Sequence, residues 1–176
     1  MVRSLRDRLG ASIATSPAKG APAMKSIAMF NPDFLSLRDT DTVREATRRM
    51  LQTRVSDLPV VDASGKLLGM LKLERLLAVV LPRACLIDHG MTDLGFVSDS
   101  LEDLRARMRE IEDKPVGEFV VNAAHVIHPD TSPLEVVLML YRGANNIPVI
   151  ARDSGKLVGM AAARDVLAAL QGGETG

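Results

Sequence analysis

The chain has 176 residues, 47% of them hydrophobic and 25% charged, with 22 basic against 22 acidic side chains for a net charge of +0. That composition excludes a disordered or fibrous protein. The balanced charge forgoes the counterion release that drives nucleic-acid affinity, and 3% aromatics without tryptophan offer few stacking platforms for single strands. In chain order, residues 1–24 carry Gly10, Pro17, Gly20 and Pro22 among small residues and no sustained period, which predicts a mobile arm. Its Arg3, Arg6 and Arg8 are not followed by the apolar core of a secretory signal. Phe34 to Leu37 reads as a short strand, and Asp39-Thr40 as the turn or cap before a helix in which Val43, Ala46, Met50 and Leu51 recur at helical spacing. Leu58 to Val61 and Lys66 to Leu71 read as a hairpin around Asp62-Ala63-Ser64-Gly65. A second helix from Leu73 to Val80 is stopped by Pro82. Residues 82–113 form a connecting insert in which Leu101, Leu104, Met108 and Ile111 make one apolar stripe behind Ser98, Asp99 and Ser100, so a helix over about 99–112 is expected.

The series then repeats. Ser64-Gly65-Lys66-Leu67-Leu68-Gly69-Met70 returns ninety positions later as Ser154-Gly155-Lys156-Leu157-Val158-Gly159-Met160. Leu58-Pro59-Val60 is answered by Ile147-Pro148-Val149, Asp39-Thr40 by Asp130-Thr131, and Leu77-Ala78 by Leu167-Ala168. The expected fold is α/β (α+β), a β-α-β-β-α unit used twice, over residues 25–81 and 114–171, with residues 172–176 a disordered tail. The longest central apolar run, Leu76 to Leu81, is far short of a membrane span, and a single cysteine, Cys85, suits a reducing compartment. Neither nucleic acid nor a membrane is an expected partner, and a cytoplasmic location is the expectation.

The Met29-Phe30-Asn31-Pro32-Asp33 and Pro115-Val116 lead-ins, the two Pro-Val strands and the two Gly-Lys-Leu-x-Gly-Met hairpins together resemble a tandem pair of cystathionine-β-synthase (CBS) domains, a Bateman module, over about residues 25–171. The resemblance implies a pseudo-twofold pair with two clefts between the repeats. It also implies that an adenosine-type ligand (AMP, ADP, ATP or S-adenosylmethionine) binds there, and that the module forms a homodimer and regulates a protein partner.

In ligand-binding members the last hairpin strand runs Gly-x-x-Thr/Ser-x-x-Asp into the last helix, the hydroxyl meeting phosphate or capping the helix and the carboxylate taking the ribose diol. Here Asp165 stands at the carboxylate position and Ala162 replaces the hydroxyl residue, with Arg164 beside them. The first repeat carries Lys72 and Arg75 at the same two positions. A carboxylate offers two acceptors to a diol, and the phosphates are expected to run toward Arg164 or, across the pseudo-twofold, toward Lys72 and Arg75. The base is expected between Val126 and Ile127 on one side and Ile147, Pro148 and Val149 on the other, since a purine needs a mostly apolar slot. Asp165 in the first turn of a helix is favourable even with no ligand. The leading reading is therefore a stand-alone sensor that is not an enzyme, and its main rival is a ligand-free structural dimerisation module with decayed sites. An enzyme using Asp88, His89, Asp93 and Glu102 of the insert lacks any recognisable catalytic spacing. His125 and His128, three apart in an extended segment, fall on opposite faces and do not suggest a metal site. Met29, Met50, Met70, Met139 and Met160 are expected to line the core or a cleft.

Overall fold

The computed structural model describes residues 29–82 and 99–172. Helix α1 (Val43–Thr53) begins where Thr42 Oγ1 accepts the Glu45 N–H at 3.3 Å and ends at Arg54, whose left-handed backbone (φ 55°) returns its N–H to Met50 O. The cap thus falls on Thr42 instead of Asp39-Thr40, while Asp41 Oδ2 accepts the Arg38 N–H and closes the preceding turn. Val43, Ala46 and Met50 are buried as expected, but Leu51 is 74% exposed, because one residue beyond Met50 lies about 100° further round the helix.

Strands β2 (Asp57–Val61) and β3 (Leu67–Lys72) form an antiparallel hairpin, and β1 (Leu37–Arg38) lies parallel to β2 on its other side. The turn is locked by Asp62, whose Oδ1 accepts from Ser64 N, Ser64 Oγ and Lys66 N at 2.8, 2.7 and 2.9 Å, and Gly65 takes φ +83°. Helix α2 (Leu73–Val80) follows β3 directly. After the helix α3 (Leu101–Ile111) and a 3-10 turn (Val116–Phe119), the second copy supplies α4 (Pro133–Tyr141), β4 (Asn146–Ile150), β5 (Leu157–Ala162) and α5 (Ala163–Leu170). Its first strand shrinks to one parallel bridge, Ile127 to Val149. Both hairpins pair Pro with Met, Pro59 with Met70 and Pro148 with Met160, and both slip register one step later.

The two copies exchange their lead-ins. Met70 N–H and C=O pair with Val121 at 2.8 and 2.9 Å, and Met160 pairs in the same way with Asn31 at 3.1 and 2.8 Å. Each hairpin edge is therefore capped by the chain that leads into the other repeat, which leaves no bare β3 or β5 edge at these positions. The cores follow suit: Val116 and Phe119 complete the cluster around Leu37, Leu58 and Leu71, while Met29 and Phe30 complete the one around Ile127, Ile147 and Val166. Close approach explains the second glycine of each hairpin motif. A methyl group on Gly69 would overlap the Val121 carbonyl and the Val120 side chain, and one on Gly159 would overlap the Phe30 ring. The hairpin turns meet across the pseudo-twofold, with Lys66 bridging Lys156 and Leu157 N donating to Gly65 O at 3.0 Å.

Helix α3 links the repeats along the chain and packs on the first of them. Ser100 and Asp103 form a reciprocal capping box, Ile111 is buried in the first core with Met108 against it, and Leu104 is half-buried. Leu101, the first residue of the expected stripe, remains exposed. Arg107 fastens α3 to the end of α2, donating to Val80 O at 2.9 Å and to Asp99 Oδ2 at 2.7 Å. The expectations for the 1–24 arm, the 173–176 end of the tail, Cys85, Asp88, His89 and Asp93 fall outside the described residues.

Candidate ligand clefts

Because the strands of the two repeats meet around the pseudo-twofold, a cleft opens on each side of it, with Asp57 and Asn146 lining both. The first cleft, of about 200 Å³, is bounded by Asn31, Asp33, Phe34 and Leu35 of one lead-in, Val55, Leu58 and Pro59 of the first repeat, and Met160, Ala162, Arg164 and Asp165 of the second. Phe34, Leu35, Val55, Leu58 and Pro59 make an apolar wall opposite the carboxylate, the mix of surfaces that a purine nucleoside requires.

Asp165 is the third residue of α5 and its side chain is only 14% exposed. Its Oδ2 accepts the Ala162 N–H at 3.2 Å, so it holds the start of the helix, while its Oδ1 lies 3.5 Å from Arg164 Nε. Ala162 has no side-chain oxygen to return the cap. Arg164 is 76% exposed and can swing aside, which would free Oδ1 for an incoming donor.

The expected base slot is not beside Asp165. Ile127, Ile147 and Val149 are buried in the second core, Val126 is exposed elsewhere, and Pro148 lines the opposite cleft. The physical reason is the exchange of lead-ins, which brings the start of α5, with Asp165, against the lead-in and hairpin of the first repeat. The wall facing Asp165 accordingly comes from Phe34 to Pro59, residues whose role becomes visible only once the repeats are paired. Lys72 also lies in the opposite cleft, and Arg75 is exposed on α2 outside both linings. Ala162, Arg164 and Asp165 are brought together; the other predicted residues are not brought to them. Met70 and Met160 line the two clefts, as expected for that group of methionines, and Met29 and Met50 are buried.

The second cleft, of about 190 Å³, is lined by Asp57, Met70, Lys72, Ala123, Ala124, His125, Arg142, Asn145, Asn146 and Pro148 among others. Asp57 is 9% exposed, and its carboxyl is raised above the usual range by burial; the Lys72 charge pulls it down, Glu74 pushes it up and the Asn146 amide pulls it down. No helix among the described residues is long and apolar enough to cross a membrane, and no group of three or more His, Cys, Asp or Glu side chains among them is placed to hold a metal ion.

Two tandem α/β repeats with exchanged lead-ins and paired clefts on the pseudo-twofold define a tandem-repeat module. The CBS domain family model matches residues 25–82 and 116–172, and the chain belongs to that family. Among curated proteins it is similar to two Arabidopsis thaliana proteins described as chloroplastic. It is 25% identical to CBSX1 over 166 residues (90% of this chain, 68% of that protein) and 44% identical to CBSX2 over 43 residues (24% and 18%). The stretch matched in CBSX2 is thus under a fifth of that relative's length. Among solved structures, a CBS domain-containing protein of unknown function from Kribbella flavida aligns at a TM-score of 0.66 with 20% identity, covering 85% of this chain and 99% of that one. A crystal structure of CBSX2 in complex with AMP aligns at 0.60 with 22% identity, covering 84% and 96%.

Proposed function

We propose that the chain is a regulatory module that binds an adenosine nucleotide in the first cleft, with the base against Phe34, Leu35, Val55, Leu58 and Pro59 and the ribose diol on Asp165. The observation that carries this reading is the half-buried Asp165 carboxylate facing an apolar wall built by the other repeat. The crystal structure of the related CBSX2 with AMP supports the ligand class. The role is to sense the ligand and pass its presence to a protein partner, with the module assembled as a homodimer. A second reading, a ligand-free dimerisation module, draws on Ala162 at the hydroxyl position and on the cap that Asp165 already provides to α5.

Calorimetric titration with AMP, ADP, ATP and S-adenosylmethionine separates the two. One or more of these ligands should bind, and Asp165→Ala should weaken the tightest about ten- to a hundredfold, the scale of a lost charge-assisted hydrogen bond. Asp165→Asn keeps an acceptor for the Ala162 N–H but offers the diol one oxygen instead of two, so it should also bind weakly while melting close to the parent. Failure of all four ligands to bind at millimolar concentration establishes the dimerisation reading instead, and an Asp165→Asn protein that binds as tightly as the parent overturns the placing of the ribose on Asp165.

A further inference from the structure

The two clefts are nearly equal in size and opposite in character. Moving from the first to the second by the internal symmetry, Ala162 becomes Lys72, Phe34 and Leu35 become Ala124 and His125, and Val55 shrinks to Ala144, with the amide of Asn145 beside it. Arg142, the residue that ends α4, adds a second cation. The position equivalent to Asp165 is Arg75, and among the described residues the one acid lining the second cleft is Asp57 on the shared floor, which leaves no counterpart of Asp165 for a ribose diol. Neither Lys72 nor Arg142 has an ion-pair partner within 4 Å among the described residues, although Arg44, Arg48, Arg49, Arg105, Arg107, Arg109, Arg152 and Arg164 all do. Two cations outside any ion pair among the described residues, an imidazole and the amides of Asn145 and Asn146 set donors around a cavity whose apolar lining is Met70, Pro148 and small alanines. Such a set suits a small, multiply charged oxyanion, for which lysine serves as a point charge and arginine as a fork.

We propose that the second cleft is an oxyanion site of the pyrophosphate class, chemically distinct from the nucleoside cleft, and that the two are coupled through the Asp57–Asn146 floor they share. An anion drawn to Lys72 takes that cation's field away from Asp57, which also borders the first cleft. Phosphates of a nucleotide seated in the first cleft and directed at the same floor compete with the anion for Lys72. Only this competition rests on the nucleotide reading.

The test is calorimetric titration of the purified chain with pyrophosphate, alone and with saturating adenosine or ATP. Pyrophosphate should bind, more weakly as salt rises, and Lys72→Ala and Arg142→Ala should each reduce affinity about tenfold or more. Lys72→Arg, which keeps the charge, should retain most of the binding and shows that any loss in Lys72→Ala is not a folding defect. Asp165→Asn should leave pyrophosphate affinity unchanged, and ATP should weaken it where adenosine does not. Absence of pyrophosphate binding at millimolar concentration overturns the proposal, as does equal binding by Lys72→Ala and the parent, or a loss in Asp165→Asn as large as in Lys72→Ala. Pyrophosphate binding that needs Lys72 in a chain that binds no nucleotide would sustain the oxyanion site and refute the nucleotide reading; nucleotide binding without pyrophosphate binding would do the reverse.

Discussion

In the first repeat the Glu45 carboxylate is held by two arginines. Its Oε1 lies 2.8 Å from Arg48 Nη2 and 2.7 Å from Arg49 Nε, and its Oε2 lies 2.9 Å from Arg48 Nε. The hydrogen bonds from Arg48 and then Arg49 lower its carboxyl from the ordinary 4.5 to about 2. A folded-state value below the unfolded one means that the unfolded chain binds the proton first, so the stabilisation is fully present above pH 4.5 and is lost as pH falls toward 2. Glu45→Gln should therefore lower the urea midpoint at pH 6, and the gap from the parent should close at about pH 2, near the folded value; a gap that persists unchanged assigns the effect to something other than the charge. Asp57 works in the opposite sense. Burial raises its carboxyl, so the folded chain binds that proton more tightly and acidification through the raised value favours folding.

At the scale of elements, two glycines that occupy matching motifs answer to different constraints. Gly155 has φ +68° and open space around its Cβ position, whereas Gly69 is crowded by the Val121 carbonyl and the Val120 side chain. Gly155→Ala should cost about 1–2 kcal/mol for a left-handed alanine. Gly69→Ala should cost at least the roughly 1–3 kcal/mol of overpacking, because a backbone carbonyl cannot rotate away. Hydrogen exchange distinguishes the two: the Met70 and Val121 amides should lose protection in Gly69→Ala alone, and equal protection in both variants would show that the lead-in yields. The turn at Gly65, the hairpins, the boundaries of α2 and the Leu104, Met108 and Ile111 part of the α3 stripe were legible in the sequence, since each depends on periodicity or turn chemistry within a dozen residues; the crowding at Gly69, set by a distant lead-in, was not. The base slot was not. Phe34, Leu35 and Val55 look like ordinary strand and loop residues, and what makes them the wall opposite Asp165 is an exchange across roughly a hundred residues that no local period records. The shortened opening strand of the second copy escaped for a related reason: Ile127 keeps the apolar character of Leu37, but a single bridge to Val149 satisfies its backbone.

For the whole molecule, the outer faces of α4 and α5 leave Leu134 (77%), Leu138, Tyr141 (84%), Leu167 and Leu170 exposed on two helices that pack side by side. In the first repeat, Arg44 and Arg48 hold the positions equivalent to Leu134 and Leu138, so this stripe of the apolar face belongs to the second repeat alone. A contiguous apolar patch of this kind is covered in solution far more often than it is left wet, and the proposed homodimer should bury it. Leu138→Glu with Leu167→Glu should convert the dimer to a monomer in light scattering while leaving both cores intact; a parent that is already monomeric at tens of micromolar, an ordinary range for a specific dimer, or a double variant that stays dimeric, removes this face from the assembly. The exchanged lead-ins also impose an order on biosynthesis. As the chain leaves the ribosome, the outer edge of β3 waits for Val121, and the first hydrophobic cluster waits for Val116 and Phe119. Met29 and Phe30, made early, must stay available until Ile147 and Val166 emerge to receive them. Neither half reaches its final state alone, so folding is a long-range, high-contact-order event in which vectorial synthesis leaves the first half incomplete until the second has begun to emerge.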